Sequence, residues 1–323
     1  MKVLVIGGAG YIGSHVVREL LDHEHTVTVY DNLSSGLREN LFAEARFIHG
    51  DIMDSMALSR TVVEGFDTIV HLAASKAAGE SMIKPEVYSL NNISGTVNVL
   101  NAASVAGIKH IVFSSSAAVY GEPKYLPIDE KHTKDPTNFY GFTKLEIERL
   151  LVWYEKLKGI RFASLRYFNA AGYDAKGRIT GKELNPANLI PIIMEAASGS
   201  RAEIQVYGNN YDTPDGTCIR DYIHVNDLAT AHVKALDYIS KEDESIAVNL
   251  GTGTGISVLE VIEAARIVTR QEIPVKITDR RVGDPARLAA SADLAMEKLG
   301  WEAQYSDMKT IIKTSWEVYR VHK

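Results

Sequence analysis

The sequence predicts an α/β protein, a doubly wound parallel sheet with helices on both faces and a smaller α/β lobe toward the C-terminal side. Two patterns carry this expectation. The chain opens with an apolar run of four residues, 3–6, that passes straight into glycines spaced by three at Gly7, Gly10 and Gly13 and then into an amphipathic stretch. From there, strand-like runs at 26–30, 46–49, 68–70, 110–113 and 161–165 alternate with helical periodicity, notably at 85–106 and 139–156. Such alternation argues for parallel strands joined by right-handed crossovers. Beyond Asn169 the texture changes to longer loops rich in Gly, Asn, Asp and Pro, as at 207–217. The expected division is 1–168 for the sheet domain and 169–323 for the second lobe. The run Ala247-Val248-Asn249-Leu250-Gly251 reads as a late strand, so a segment near 225–255 is expected to return to the first sheet.

The opening strand, turn and helix form an anion-binding device. Gly7 permits the tight turn, Gly10 lets the backbone approach a pyrophosphate, Gly13 allows close helix packing, and the helix amino terminus presents free N–H groups. The next strand-like run ends at Asp31, the spacing at which an acid holds an adenosine ribose. The fold is therefore expected to be Rossmann-like, with a dinucleotide along the carboxyl edge of its sheet. A carboxylate suits two ribose hydroxyls and repels the extra phosphate of NADP, so the cofactor expected is NAD.

Composition bounds the alternatives. The chain has 323 residues, 46% hydrophobic and 24% charged, longer than one average domain and without an apolar run long enough to span a membrane. A net charge of −6 leaves no electrostatic footprint for nucleic acid. The single cysteine, Cys218, excludes an internal disulfide and has no companion at metal-ligand spacing, so no metal site is expected. Met1-Lys2-Val3 enters a strand at once, with no room for a signal peptide, and a cytoplasmic location is the expectation.

The reactive candidates are Tyr140 and Lys144, four residues apart in a helical stretch. Alone, this spacing equally describes an amphipathic surface pair. Behind a dinucleotide turn it describes a base: a phenol of pKa about 10 needs about 4 kcal/mol of differential stabilisation to fall by roughly three units, which an ammonium and a cationic cofactor would supply jointly. Other candidates follow strand-like runs. Asp51 and Ile52 would reach an adenine; Leu72, Ala73 and Ala74 are small enough to leave room for a cofactor; and Ser116, chosen from the run Ser114-Ser115-Ser116, would hydrogen-bond a reacting alcohol beside Tyr140. Asn91 opens or precedes a helix and is a further cofactor candidate.

These residues resemble the extended short-chain dehydrogenase/reductase family, on its branch that inverts nucleotide sugars. The marks are Gly-Gly-Ala-Gly-Tyr-Ile-Gly-Ser-His at 7–15, Asp31 through Gly36, Asp51-Ile52, 114–121, the Tyr140/Lys144 pair, 165–172, and in the second half 207–209, 215–217, 220–225 and 280–285. The resemblance spans the chain. It implies cofactor contacts from Tyr11, Ile12, Asn32, Leu33, Ser34, Ser35, Gly36 and Phe168 besides those already named, with Lys144 on the nicotinamide ribose. It places Tyr167 and Lys76 near the sugar and nicotinamide. Asn169, Asn188, Leu189, Tyr207, Arg220, Arg281 and Asp284 would bind a UDP-sugar, two arginines being suited to a diphosphate. The implied reaction is reversible oxidation at C4 of UDP-glucose or UDP-galactose through a transient 4-keto sugar. By counting from Asp284, the bulky Leu288 falls at the family's gate against N-acetylated hexosamines. The implied assembly is a homodimer through a four-helix bundle built from 85–106 and 139–156, although apolar faces there also suit an intramolecular core.

Other readings stay open. Ser116 is followed by Ala117 and Ala118 where a 4,6-dehydratase of this fold needs an acid pair, which argues against dehydration. A 4-epimerase of UDP-glucuronate, a UDP-pentose or a UDP-N-acetylhexosamine is an alternative, and a non-catalytic NAD sensor is a remoter one.

Overall fold

The computed structural model describes residues 1–183, 186–281 and 284–320. Strands β1 (Lys2–Ile6), β2 (Thr26–Asp31), β3 (Arg46–His49), β4 (Thr68–His71), β5 (His110–Ser116) and β6 (Arg161–Tyr167) come first. They are followed by β7 (Asn169–Ala171), β8 (Ile204–Tyr207), β9 (Ile219–His224), β10 (Ile246–Leu250), β11 (Gly255–Ser257), β12 (Val275–Thr278) and β13 (Arg287–Leu288). The helices are α1 (Tyr11–Asp22), α2 (Ser55–Val62), α3 (Ala78–Ser81), α4 (Pro85–Tyr88), α5 (Gly95–Ala106) and α6 (Phe139–Lys158), then α7 (Leu189–Ala197), α8 (Val225–Glu242), α9 (Val258–Thr269), α10 (Asp293–Leu299) and α11 (Met308–Tyr319).

β1 shows why the first sheet must be covered on both faces. Its side chains alternate, and both sets are apolar: Val3 and Val5 join one core with Val16, Val17 and Leu20 of α1 and Leu228 and Leu236 of α8. Leu4 and Ile6 join the other, with Leu58 of α2, Val99 and Leu100 of α5 and Ile147 and Leu151 of α6. A strand apolar on both sides belongs in a doubly covered parallel sheet. The sheet has seven strands in the order β10-β6-β5-β4-β1-β2-β3, all pairs parallel. The order reverses between β1 and β4, and ligands of such sheets sit in the crevice outside the carboxyl ends of the strands at that point.

The late strand lies where the sequence suggests. β10 pairs in parallel with β6, and α8 packs on the same sheet. The rest of the C-terminal half forms a sheet of β11, β9 and β13 with β7 on β9, and a two-stranded sheet of β8 and β12. A third core, including Ile193 and Met194 of α7, Ile262 of α9 and Ile311 and Ile312 of α11, holds this lobe together.

Two elements depart from the sequence reading. The strand read as 110–113 runs on to Ser116, so Ser114, Ser115 and Ser116 are strand residues and not a turn after it; pairing with β6 carries through to Ser116 opposite Tyr167. The helix read as 85–106 contains a π-helical segment, Ser89–Ser94, between α4 and α5. Such inserts widen one turn and concentrate at functional sites. Here the widened turn carries Asn92, wholly buried against the loop after β4.

Burial leaves a pH signature. Desolvation holds His15 and His232 down to about 4 and His71 and His224 down to about 3, from an ordinary value near 6.5. All four are neutral in the folded chain, whereas the unfolded chain protonates them as pH falls through about 6.5. Their contribution is therefore complete above that pH and lost below it. Between pH 6.5 and 5 stability should fall with a slope approaching about four protons, roughly 5 kcal/mol per pH unit. Urea midpoints at pH 7, 6 and 5.5 would read this; a flat profile over that range would contradict it.

Candidate active site

At the switch point the glycine turn has the shape its spacing requires. Gly7 has φ +86°, outside the range a β-carbon tolerates easily, and a β-carbon on Gly13 would lie 2.1 Å from the Gly7 carbonyl. At Gly10 an added β-carbon meets only the Gly7 oxygen, at 3.3 Å, so the outer side of the turn is open. Ile12 packs into the core under the sheet, and the Tyr11 hydroxyl donates to the Gly172 carbonyl of the second lobe.

Asp31 ends β2 beside this turn. Its carboxylate accepts from the Ala9 N–H at 3.0 Å and the Leu33 N–H at 2.8 Å, so it also fixes the turn and the loop 32–36. Gly36 packs on Ala9, and Ser34 N–H donates to the Asn32 side chain; Ser35 is exposed on the same loop. The Asn32 amide donates to Asp51 at 2.8 Å, which joins the ends of β2 and β3 into one wall, with Ile52 buried behind it against α5. Leu72 and Ala73 N–H groups both donate to the Ile6 carbonyl, closing the loop after β4 against β1. The cradle is open at Gly10, walled by small residues and carries the Asp31 carboxylate at the end of β2 beside the turn, and these residues fit NAD.

Asn138 sets the reactive helix. Its side chain accepts from the Gly141 N–H at 2.8 Å and caps α6, so Tyr140 falls in the first turn and Lys144 one turn later. A β-carbon on Gly141 would lie 2.3 Å from the Ala118 carbonyl. Only glycine lets the first turn of α6 come this close to the segment after β5, at whose end Ser116 lies. Ser116 Oγ also accepts from the Ala118 N–H at 3.2 Å.

Lys144 is 2% exposed and donates to the Ser114 carbonyl at 2.8 Å. Its Nζ stands 4.8 Å from the centre of the Phe113 ring and 5.7 Å from that of Tyr140. Burial pushes the phenol up to about 12, and the hydrogen bond from Ser116 is the opposing influence. Burial also brings Lys144 down to about 7, against an opposing pull from Glu148. Burial thus opposes the charged form of both groups.

Other expectations need placing. Tyr167 is buried with its hydroxyl hydrogen-bonded to Ser114 Oγ, and burial raises its pKa. Phe168 and Leu288 pack together on a small core of Val119, Tyr120, Ile128 and Leu145, beside α6. Lys76 forms an ion pair with Glu183 of the second lobe. Asn91 donates to Ser75 Oγ at 3.3 Å and to the Asn92 side chain at 3.2 Å, and the stronger device is that unpredicted neighbour. Asn92 accepts from the Ser75 N–H, donates to the Ser75 carbonyl and donates to Thr143 Oγ1, while Thr143 donates to the Tyr140 carbonyl. One buried amide thus ties the loop after β4 to the first turn of α6. Two adjacent asparagines in a helical pattern were the available signal.

In the second lobe, Asn169 on β7 lies opposite Tyr222 of β9, and Leu288 on β13 lies opposite Arg220 of β9. Arg220 is largely buried, donates to the Ile219 carbonyl at 2.8 Å and lies 3.7 Å from Asp284. Arg281 stacks over the Tyr207 ring at 3.7 Å. Asn188 caps α7 with its side chain free of any capping bond, followed by Leu189 in the third core. Val282 and Gly283, inside the motif at 280–285, lie outside the described residues. Cys218 is buried. Among the described residues no group of three or more His, Cys, Asp or Glu is placed to hold a metal ion, and no helix is long and apolar enough to cross a membrane.

A dinucleotide cradle beside a buried lysine and a half-buried tyrosine and serine defines a nicotinamide-dependent enzyme of the short-chain dehydrogenase type, and the chain belongs to the NAD dependent epimerase/dehydratase family, whose model matches residues 3–251. Within that family it is 46% identical over 324 residues to the UDP-glucose 4-epimerase of Lacticaseibacillus casei, covering 100% of this chain and 98% of the relative. The crystal structure of UDP-glucose 4-epimerase from Brucella ovis in complex with NAD superposes with a TM-score of 0.96 at 44% identity, over 98% of each chain. That from Bifidobacterium longum in complex with NAD and UDP gives 0.93 at 39%, again over 98% of each.

The contact at Gly141 yields a prediction. Gly141→Ala forces α6 away from Ala118, an overpacking expected to cost about 1–3 kcal/mol. A lowered urea midpoint at unchanged slope is the expected result; an unchanged midpoint would contradict the contact.

Proposed function

We infer that the protein interconverts UDP-glucose and UDP-galactose by NAD-dependent inversion at C4. The observation that supports this best is the convergence of Tyr140, Lys144 and Ser116 beside the glycine turn, in a chain that matches UDP-glucose 4-epimerases over its whole length. Gly7, Gly10, Gly13, Asp31 and the wall of Asn32 and Asp51 would hold NAD. Bound NAD supplies a hydride acceptor that gives the same hydrogen back, and a positive charge at the nicotinamide.

The chain's own residues handle the proton. Tyr140 takes it from the C4 hydroxyl and later returns it. Ser116, hydrogen-bonded to the phenol, orients it, and Lys144 adds its charge beneath the ring. The phenol starts near 12, so deprotonation is coupled to the arrival of positive charge in the pocket rather than standing ready beforehand.

Inversion requires the sugar to turn while its nucleotide stays fixed. In this reading the lobe 169–323, less the returning segment 225–255, grips UDP through Asn169, Asn188, Leu189, Tyr207, Arg220, Arg281 and Asp284, while Tyr167 and Lys76 line the turning space. Leu288, packed like Phe168 on the small core that includes Leu145, narrows that space and favours hexoses over N-acetylhexosamines.

A second copy of the chain is the proposed partner. Val105 is 82% exposed on α5, and Trp153 and Leu157 are 58% and 70% exposed on α6. These apolar side chains on neighbouring helices fit pairing with the same two helices of a partner as a four-helix bundle.

Purified protein given UDP-galactose without added NAD should form UDP-glucose, and Tyr140→Phe should reduce the rate about a thousandfold. UDP-N-acetylglucosamine should turn over more slowly than UDP-glucose. No conversion of any UDP-sugar, with NAD supplied, would overturn the reading in favour of a sensor, and conversion of UDP-glucuronate or a UDP-pentose alone would shift the substrate. In light scattering the parent should have twice the chain mass and Trp153→Glu the single mass; a monomeric parent would refute the dimer.

A further inference from the structure

Glu148 lies one helical turn beyond Lys144, on the same face of α6 and inside the protein. Its side chain is 9% exposed, and its partner Arg166, on β6, is 4% exposed. The guanidinium is bidentate, with Nε 2.8 Å from Oε1 and Nη2 2.6 Å from Oε2. Ser115 Oγ donates to Oε1 at 2.6 Å, and Ser115 and Arg166 are register neighbours on β5 and β6. Arg166 Nη1 donates to the Tyr120 hydroxyl at 3.0 Å, which donates to Asn249 on β10 at 2.6 Å.

An ion pair this deep is a poor way to gain stability, because desolvating two charges costs about as much as their attraction returns and apolar residues of similar volume often serve as well. What distinguishes the place is Lys144. Its ammonium would otherwise face only the Ser114 carbonyl, the Phe113 ring and the Tyr140 ring. His71 of β4, the nearest titratable group from the other side, is buried and neutral. From α3 and α4, Glu80 is paired with Lys84, and Tyr88 is hydrogen-bonded to Glu80. Glu148 is the negative charge that acts on Lys144 and favours its charged form.

We propose that Glu148, clamped by Arg166 and Ser115, is a positioning residue that keeps Lys144 charged beneath the catalytic phenol. Arg166 fixes where the carboxylate sits and limits how strongly it pulls, so that the lysine stays charged without being drawn off its ribose-facing position into a closed ion pair. The proposal rests on the reading of Tyr140 as the base.

The test reads the lysine directly. The ¹³Cε signal of Lys144, assigned with Lys144→Met in protein labelled at lysine, is titrated in the parent, in Glu148→Gln and in Glu148→Asp. Loss of the carboxylate should lower the Lys144 pKa by about one unit or more, with Glu148→Asp returning toward the parent. The alkaline limb of kcat/KM for UDP-galactose should move to lower pH by a similar amount, whereas a purely structural defect lowers the rate equally at all pH values. An unchanged Lys144 titration in Glu148→Gln overturns the proposal. If that variant does not fold, Glu148→Gln with Arg166→Met removes both charges and leaves none unpaired; a smaller downward shift than the single variant's supports the proposal, and the absence of any shift overturns it. If Glu148→Gln shows the shift but the parent epimerises no UDP-sugar, the functional reading alone is overturned.

Discussion

An ammonium buried beneath a phenol is the constraint on which the rest of the site depends. Lys144 is 2% exposed, and a charge so placed is tolerated only where fixed partners surround it. Those partners come from three elements: the Ser114 carbonyl and Phe113 ring from β5, Glu148 from α6 itself, and Arg166 on β6 holding Glu148. α6 must therefore lie at one height and rotation over β5 and β6. The Asn138 cap fixes the height, and Gly141 permits the approach.

The same economy of fixed partners joins the two lobes. Loops rich in Gly, Asn and Asp bury backbone N–H groups that need acceptors. Asp221 accepts from Thr252, Gly253 and Ala290 N–H groups, tying β9 to the strand end at β10 and to β13. Asp227 at the start of α8 accepts from Gln304 and Tyr305 N–H groups and from Ser306. Neither acid is free for substrate. Both hold the second lobe in register with the sheet, and with it Arg220 and Leu288, which lie on β9 and β13.

What was legible in the sequence was what repeats or clusters along it. The glycine turn, the strand at 2–6, the alternation through 161–165 and the Tyr140/Lys144 spacing are local patterns, and the sheet and the reactive pair follow from them. The strand at 247–251 was legible because its apolar run needs two covered faces. What was not legible depends on partners far apart in sequence. Glu148 meets Arg166 across 18 residues and two different elements, and Asn92 meets Ser75 and Thr143 only once the loop after β4 folds over the π-helical turn. The serine run was placed after the strand because the apolar pattern stops at Phe113, yet pairing with β6 carries the strand on to Ser116. The desolvation of the phenol and of the lysine was not legible for a related reason: spacing reveals a neighbouring charge but not the burial that opposes it.

The central claim is that the hydrogen at C4 leaves and returns within one closed pocket while Tyr140 handles only the hydroxyl proton. It is tested most directly by epimerising UDP-galactose that carries deuterium at C4 in ordinary water and locating the label by NMR. Retention of deuterium at C4 of the UDP-glucose formed is the result this account predicts. Its loss to solvent would mean that C4 is inverted through proton exchange with water, and would contradict it.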